Sequence, residues 1–94
     1  MKLFETNTPG VPLPGDLILK VMKQQSMSQA ELALRMGRST KHINDIVNGN
    51  CGITTLISIH IERVLGIPAK LIHEMEGEYR RHIILQARKG EGSI

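Results

Sequence analysis

Aromatic side chains are nearly absent from this 94-residue chain: Phe4 and Tyr79 stand alone, and there is no tryptophan. That scarcity argues against RNA-recognition and OB-type modules, which stack bases on aromatic rings. Cysteine is almost missing too. Cys51 is single, which excludes an internal disulfide and a multi-cysteine zinc site and suits a reducing cytosol. No apolar run reaches the length of a membrane span, and the start lacks a signal-peptide pattern, so the expected location is cytoplasmic. There is no hydrolase Gly-x-Ser-x-Gly elbow and no phosphate-binding glycine loop. No base is placed to activate Cys51, so no enzyme is expected. Internal repeats and long low-complexity segments are also lacking.

What the chain has instead is aliphatic: Leu, Ile, Val, Ala and Met supply nearly all its apolar content. Its length suggests one domain with a small core, which an interface with a second copy would help to stabilise. Twelve Lys and Arg oppose nine Asp and Glu, for a net charge of +3. The excess is greatest in residues 16–49, which hold five basic and three acidic groups. This balance permits a polyanionic partner without demanding one.

The organising stretch is SQAELALRMGRSTKHINDIVNG, residues 28–49. Ser28 followed three residues later by Glu31 predicts a capping box. Leu32, Ala33 and Met36 give one apolar face, and Gly37 suits a left-handed helix stop. Ser39 suits the cap of a second helix, with Ile43, Ile46 and Val47 as its buried stripe and Gly49 near its end. Two capped helices with so short a turn fit a helix-turn-helix. The second helix projects Thr40, Lys41, His42, Asn44, Asp45 and Asn48 away from its stripe. Short polar residues so placed can reach base edges in a major groove. An ordinary amphipathic helix pair within a bundle shows the same polarity, and the pattern by itself leaves both readings open.

Around this centre the rest falls into place. Residues 1–13 hold Leu3, Phe4, Val11 and Leu13 among prolines, and read as an extended N-terminal arm. Pro14 opens a helix reaching about Gln24, with Asp16 at the positive end of the dipole and Leu17, Ile18, Val21 and Met22 facing the core. Thr54 or Thr55 caps another helix running to Leu65, with Leu56, Ile57, Ile61, Val64 and Leu65 as candidate core, and Gly66 follows it. Pro68 then opens a last helix to about Arg88, and residues 89–94 read as a frayed tail. Along this helix Leu71, Ile72, Met75, Tyr79, His82, Ile83 and Gln86 step along one face at threes and fours. That face either packs within the domain or meets its own copy in a symmetric homodimer, for which Leu71, Ile72, Met75 and Tyr79 are the candidate residues.

Other clusters carry less. His73-Glu74-Met75-Glu76-Gly77 starts like a zinc-protease helix, but Gly77 stands where the second histidine is required. His60, His73 and His82 lack paired metal-ligand spacing, so no metal and no cofactor are expected. His42 is either a groove-facing donor or a solvated histidine. Glu74, Glu76 and Glu78 form either local helix pairs with Arg80 and His82 or an acidic face for a basic protein.

Several of these pieces recur together. Pro14-Gly15-Asp16-Leu17-Ile18, Ser28-Gln29-Ala30-Glu31-Leu32-Ala33, Met36-Gly37, Ser39, Ile43, Val47-Asn48-Gly49, Gly52-Ile53-Thr54 and Val64-Leu65-Gly66 with Pro68 form one ordered set. In this the chain resembles the HigA-type antitoxins among the Xre-like helix-turn-helix repressors, over about residues 12–80. The resemblance implies an all-α, five-helix, lambda-repressor-like helix-turn-helix domain that dimerises. It implies binding of a double-stranded DNA operator, autorepression, and neutralisation of a RelE-like RNA-cleaving toxin. By position, Gln29 resembles the residue that contacts backbone phosphate, while Ser39, Thr40, Lys41 and Asn44 resemble recognition-helix contacts. With Arg38, His42 and Asn48 these make the candidate DNA-binding set. Arg38, Asp45, Cys51 and Ile72 depart from the family pattern: an aspartate facing DNA repels phosphate unless it accepts from a cytosine amino group. A stand-alone or phage-type regulator, and a toxin-binding module with weakened DNA affinity, are the competing expectations.

Overall fold

The computed structural model describes the backbone of residues 12–92 and the side chains of residues 12–88. Within those bounds it is all helical: α1 (Pro14–Gln24), α2 (Gln29–Met36), α3 (Thr40–Val47), α4 (Thr55–Leu65) and α5 (Ala69–Gly92). The expected arm residues Leu3, Phe4 and Val11 lie outside the described residues; Leu13, its last, is buried.

Local chemistry sets the boundaries. Pro14 stands in the first turn of α1, where no amide hydrogen is needed. Ser28, Ser39 and Thr54 each accept a hydrogen bond from an amide three residues on, capping α2, α3 and α4. Gly37 and Gly66 close α2 and α4 with φ of 68° and 82°, a left-handed conformation that costs glycine little. The last helix differs from expectation at both ends. Pro68 lies just before it, its carbonyl accepting from the Ile72 amide at 3.2 Å. The helix runs on to Gly92, so residues 89–92, expected in a frayed tail, continue its backbone.

The core joins all five elements. Ile18 and Met22 of α1, Leu32, Ala33 and Met36 of α2, and Ile43, Ile46 and Val47 of α3 pack with Ile57, Ile61 and Leu65 of α4 and with Ile72 of α5. Leu56, expected in this core, is 55% exposed. Ile57, Ile61 and Leu65, four apart, define the inner side of α4, and Leu56 lies off that line. Ser58 is buried instead, its hydroxyl donating to the Thr55 carbonyl at 2.7 Å. Two side chains tie helix ends together: Gln25 donates to the Leu65 carbonyl at 2.9 Å, and Glu62 accepts from the Ala69 amide at 3.2 Å.

One crossing fixes how α1 meets α3. Gly15 lies against the end of α3 so closely that a Cβ there would fall on the Val47 carbonyl and 2.6 Å from its Cα. The neighbour is backbone and cannot swing aside. Gly15→Ala should therefore cost about 1–3 kcal/mol of unfolding free energy, as overpacking does, in a chemical-denaturation titration.

Beside it, Asp16 is 7% exposed and its Oδ2 is buried without a hydrogen-bond partner. Burial holds its carboxyl above the ordinary aspartate range, outweighing the helix dipole that favours the anion. Because the folded state binds this proton more readily than the unfolded chain, the group opposes folding once pH rises through its folded pKa. Asp16→Asn should raise the melting temperature at neutral pH. The gain should shrink as pH falls through the raised carboxyl range, where the wild-type side chain is itself neutral.

Candidate nucleic-acid interface

The helix-turn-helix is built by α2, the turn at residues 37–39, and α3. Ser28 Oγ accepts the Glu31 amide at 3.1 Å, the first half of the expected capping box. The second half does not form, because the Glu31 carboxylate turns forward to Arg35 Nη2 at 2.7 Å. The Arg38 amide donates to the Ala33 carbonyl at 2.8 Å and closes the turn, and Ser39 Oγ takes the His42 amide at 3.0 Å. Ile43, Ile46 and Val47 are all at most 2% exposed, so the inner side of α3 is held by aliphatic packing alone.

The outer side carries a connected polar row. Asn44 Nδ2 donates to Gln29 Oε1 at 3.3 Å, and Asn48 Nδ2 donates to Asn44 Oδ1 at 3.1 Å. These amides link the first residue of α2 to the middle and the C-terminal end of α3. Amides of this kind match the donor–acceptor pair that adenine presents in a major groove. Thr40 and Lys41 are exposed on the same helix, as is Ser39 before it. Lys41 pairs with Asp45 at 3.1 Å, but its side chain is 85% exposed. Such a pair is worth little in water, so the ammonium can exchange the carboxylate for a phosphate at small cost.

Two candidates behave differently from the rest. His42 is half-buried on the flank of α3. Arg38 is half-buried, and its Nε is buried with no hydrogen-bond partner, so part of this guanidinium serves as packing beneath the turn. Ser39, Thr40, Lys41, Asn44 and Asn48 are thus exposed on one side, with Gln29 half-buried at its edge and Arg38 and His42 likewise half-buried.

The candidate interface between copies is divided. Ile72 is wholly buried and Tyr79 is 7% exposed, both against their own chain, so neither can meet a second copy as expected. They belong to the inner side of α5 with Glu76, while Leu71 lies outside, 41% exposed, and Met75 is half-buried between the two. Ile83, Ile84 and Leu85 are exposed further along α5.

A feature that sequence reasoning missed lies at the far end of α3. Glu76, read from sequence either as a helix partner of Arg80 or as part of an acidic face, is buried and pairs with Arg80. Its Oε2 accepts from the Ile53 amide at 3.0 Å and from Arg80 Nε at 2.8 Å. Arg80 Nη2 donates in turn to the carbonyls of Gly49 at 3.2 Å and Cys51 at 2.7 Å. The spacing of four between Glu76 and Arg80 was visible, but it signals only a helix pair. Glu74 and Glu78 remain exposed, the latter 3.4 Å from Arg81. Burial, and then the nearby Asp45 carboxylate, pushes the Cys51 thiol up, which makes it a poor nucleophile. Among the described residues no cluster of His, Cys, Asp or Glu could hold a metal ion, and no helix is long and apolar enough to cross a membrane.

No protein-family model matches the sequence, and no curated protein matches it. Solved structures do. A candidate antidote protein of a plasmid maintenance system from Nostoc punctiforme superposes with a TM-score of 0.81 at 25% identity, over 88% of this chain and 91% of that one. Antitoxin HigA of Pseudomonas aeruginosa, solved with the higBA promoter, gives 0.76 at 23% identity over 85% and 88%. Another Pseudomonas aeruginosa structure, a protein in complex with its operator DNA, gives 0.73 at 24% identity over 89% and 94%. The class that emerges is an all-helical domain built on a helix-turn-helix. Within that class, the structural neighbours are HigA-family antitoxins and plasmid-maintenance antidotes, and the chain shares their fold over nearly its whole described length.

Proposed function

We propose that this chain is a DNA-binding antitoxin: a cytoplasmic, non-enzymatic repressor of its own operon that also neutralises a RelE-like RNA-cleaving toxin. The observation that carries the DNA reading is the row Gln29–Asn44–Asn48, presented with Thr40 and Lys41 on a helix whose opposite side is fully buried. The likeness to proteins solved with operator and promoter DNA supports it. Thr40, Lys41 and Asn44 read bases. Gln29, Ser39 and Lys41 fix the phosphate backbone, and the half-buried Arg38 can add only its outer nitrogens to that task. In a homodimer the two recognition helices enter successive major grooves about 34 Å apart.

The interface between copies is the outward side of α5, with Leu71 and Ile84 among its exposed apolar residues. Gly77 supports this. It sits exposed in the middle of a 24-residue helix, and among the described residues a Cβ there would meet nothing within 4 Å. An interior helical glycine costs about 1 kcal/mol relative to alanine, and packing within the chain gives it no compensation. Close approach of a second helix would. Gly77→Ala should then stabilise the isolated chain while weakening self-association, seen as a lower sedimentation coefficient at tens of micromolar. A wild-type chain that sediments as a monomer there would overturn the dimer.

A weakened DNA module that keeps only the toxin partner is the competing reading, and the engagement of Lys41 by Asp45 is what favours it. Titrating DNA from upstream of the gene into the protein, alone and with the product of the adjacent small reading frame, separates the two. The DNA-binding reading expects a salt-sensitive, sequence-dependent complex. Under it, Lys41→Ala should weaken binding to all sequences and lower the salt slope by about 1. Asn44→Ala should cost about 1–3 kcal/mol on the operator and relax its sequence preference. A tight protein complex indifferent to DNA would establish the competing reading instead.

A further inference from the structure

The recognition helix is short, eight residues, and one side-chain hydrogen bond, from Asn44 at its middle, ties it to α2. Its far end runs into a loop that doubles back: Gly49 takes φ 76°, and the Asn50 amide returns to the Asp45 carbonyl at 2.8 Å. Nothing local to residues 49–53 satisfies the carbonyls of Gly49 and Cys51 or the amide of Ile53; those three groups are taken by Arg80 and Glu76 from α5. The pair is more than a surface salt bridge that touches a loop. The Glu76 side chain is 11% exposed, and its Oε1 is buried with no partner. The Glu76 carboxylate is held from two sides, by the Ile53 amide and by the Arg80 guanidinium. The guanidinium is likewise used as a planar fork, with Nε to the carboxylate and Nη2 to the two carbonyls, a geometry that a lysine ammonium does not reproduce. Tyr79, buried beside the same turn, brings its hydroxyl within 3.4 Å of where a Gly49 Cβ would lie.

We propose that Arg80 and Glu76 are positioning residues for DNA recognition: by pinning the loop at residues 49–53 to α5, they set the angle at which Asn44 and Asn48 face a duplex. This rests on the DNA-binding reading above. Its logic is that phosphate contacts tolerate a small rotation of α3, whereas bidentate contacts to base edges do not. Loosening the clamp therefore lowers discrimination before it lowers general affinity. Neither side chain touches DNA, and both act through the loop.

The test uses the full chain with Arg80→Lys, and Glu76→Gln as the second variant should the first fail to fold. Thermal melts by circular dichroism establish that the variant is folded at the working temperature. Two readouts follow. Amide hydrogen exchange should show at least about tenfold faster exchange at Asn48, Asn50 and Ile53, with the α1 and α4 core amides unchanged. The ratio of affinities for upstream DNA and for scrambled DNA of the same length should fall about tenfold or more, while affinity for the scrambled DNA changes little. A merely structural role would leave that ratio where it was, so faster exchange with an unchanged ratio overturns the proposal. Unchanged exchange at residues 48–53 overturns it also, whatever the DNA result. If the wild-type chain itself shows no sequence preference, the DNA-binding reading has failed, and with it the proposal's claim on recognition. Exchange would then report only whether the clamp holds the end of α3.

Discussion

Everything on the accessible side of this protein depends on the seating of α3. Ile43, Ile46 and Val47 hold an eight-residue helix, too short to be stable alone, against α1 and α2 with hardly any of their surface left in water. A fully buried aliphatic side chain is worth about 1.5–3 kcal/mol relative to exposure, so three of them dominate whatever propensity the helix has of its own. The polar residues opposite contribute little to this seating. They are free to be chosen for what they meet outside, so Thr40, Lys41, Asn44 and Asn48 can vary without endangering the fold.

That seating requires α1 to come very close. Gly15 lets the start of α1 rest on the carbonyl end of α3, and Asp16 follows it into a buried position that its charge does not favour. The Pro14-Gly15-Asp16 opening thus has a physical content beyond marking a helix start. One residue supplies a first turn without an amide hydrogen, the next removes a side chain where two backbones touch, and the third is carried inside by its neighbours. The cost at Asp16 belongs to the geometry that places α3.

Helix limits were legible in the sequence where the determinants are local. Ser28, Ser39 and Thr54 cap and Gly37 and Gly66 stop their helices within a few residues of themselves, so reading the residues sufficed. That Thr40, Lys41, Asn44 and Asn48 are exposed was legible in the same way, from the opposite side of a recognisable apolar stripe. What the sequence did not display depends on how α5 lies across the rest. Ile72 and Tyr79 fit an intermolecular stripe as well as an intramolecular one by spacing, and only the packing of α5 on the body decides between them. Glu76 and Arg80 have the spacing of a solvated helix pair, and nothing in their identity reports that a loop 23 to 31 residues earlier lies over them. The capping box formed only by half for a local reason: the Glu31 carboxylate pairs with Arg35 four residues on.

Scarcity of aromatics has a practical corollary. With no tryptophan and a single tyrosine, the chain's phenol emission originates from one ring, and that ring is enclosed beside Gly49 with the Arg80 guanidinium 5.2 Å from its centroid. A cation at that range and the exclusion of water both alter phenol fluorescence. The protein therefore carries, without labelling, an optical gauge set at the junction between its longest described helix and the end of α3.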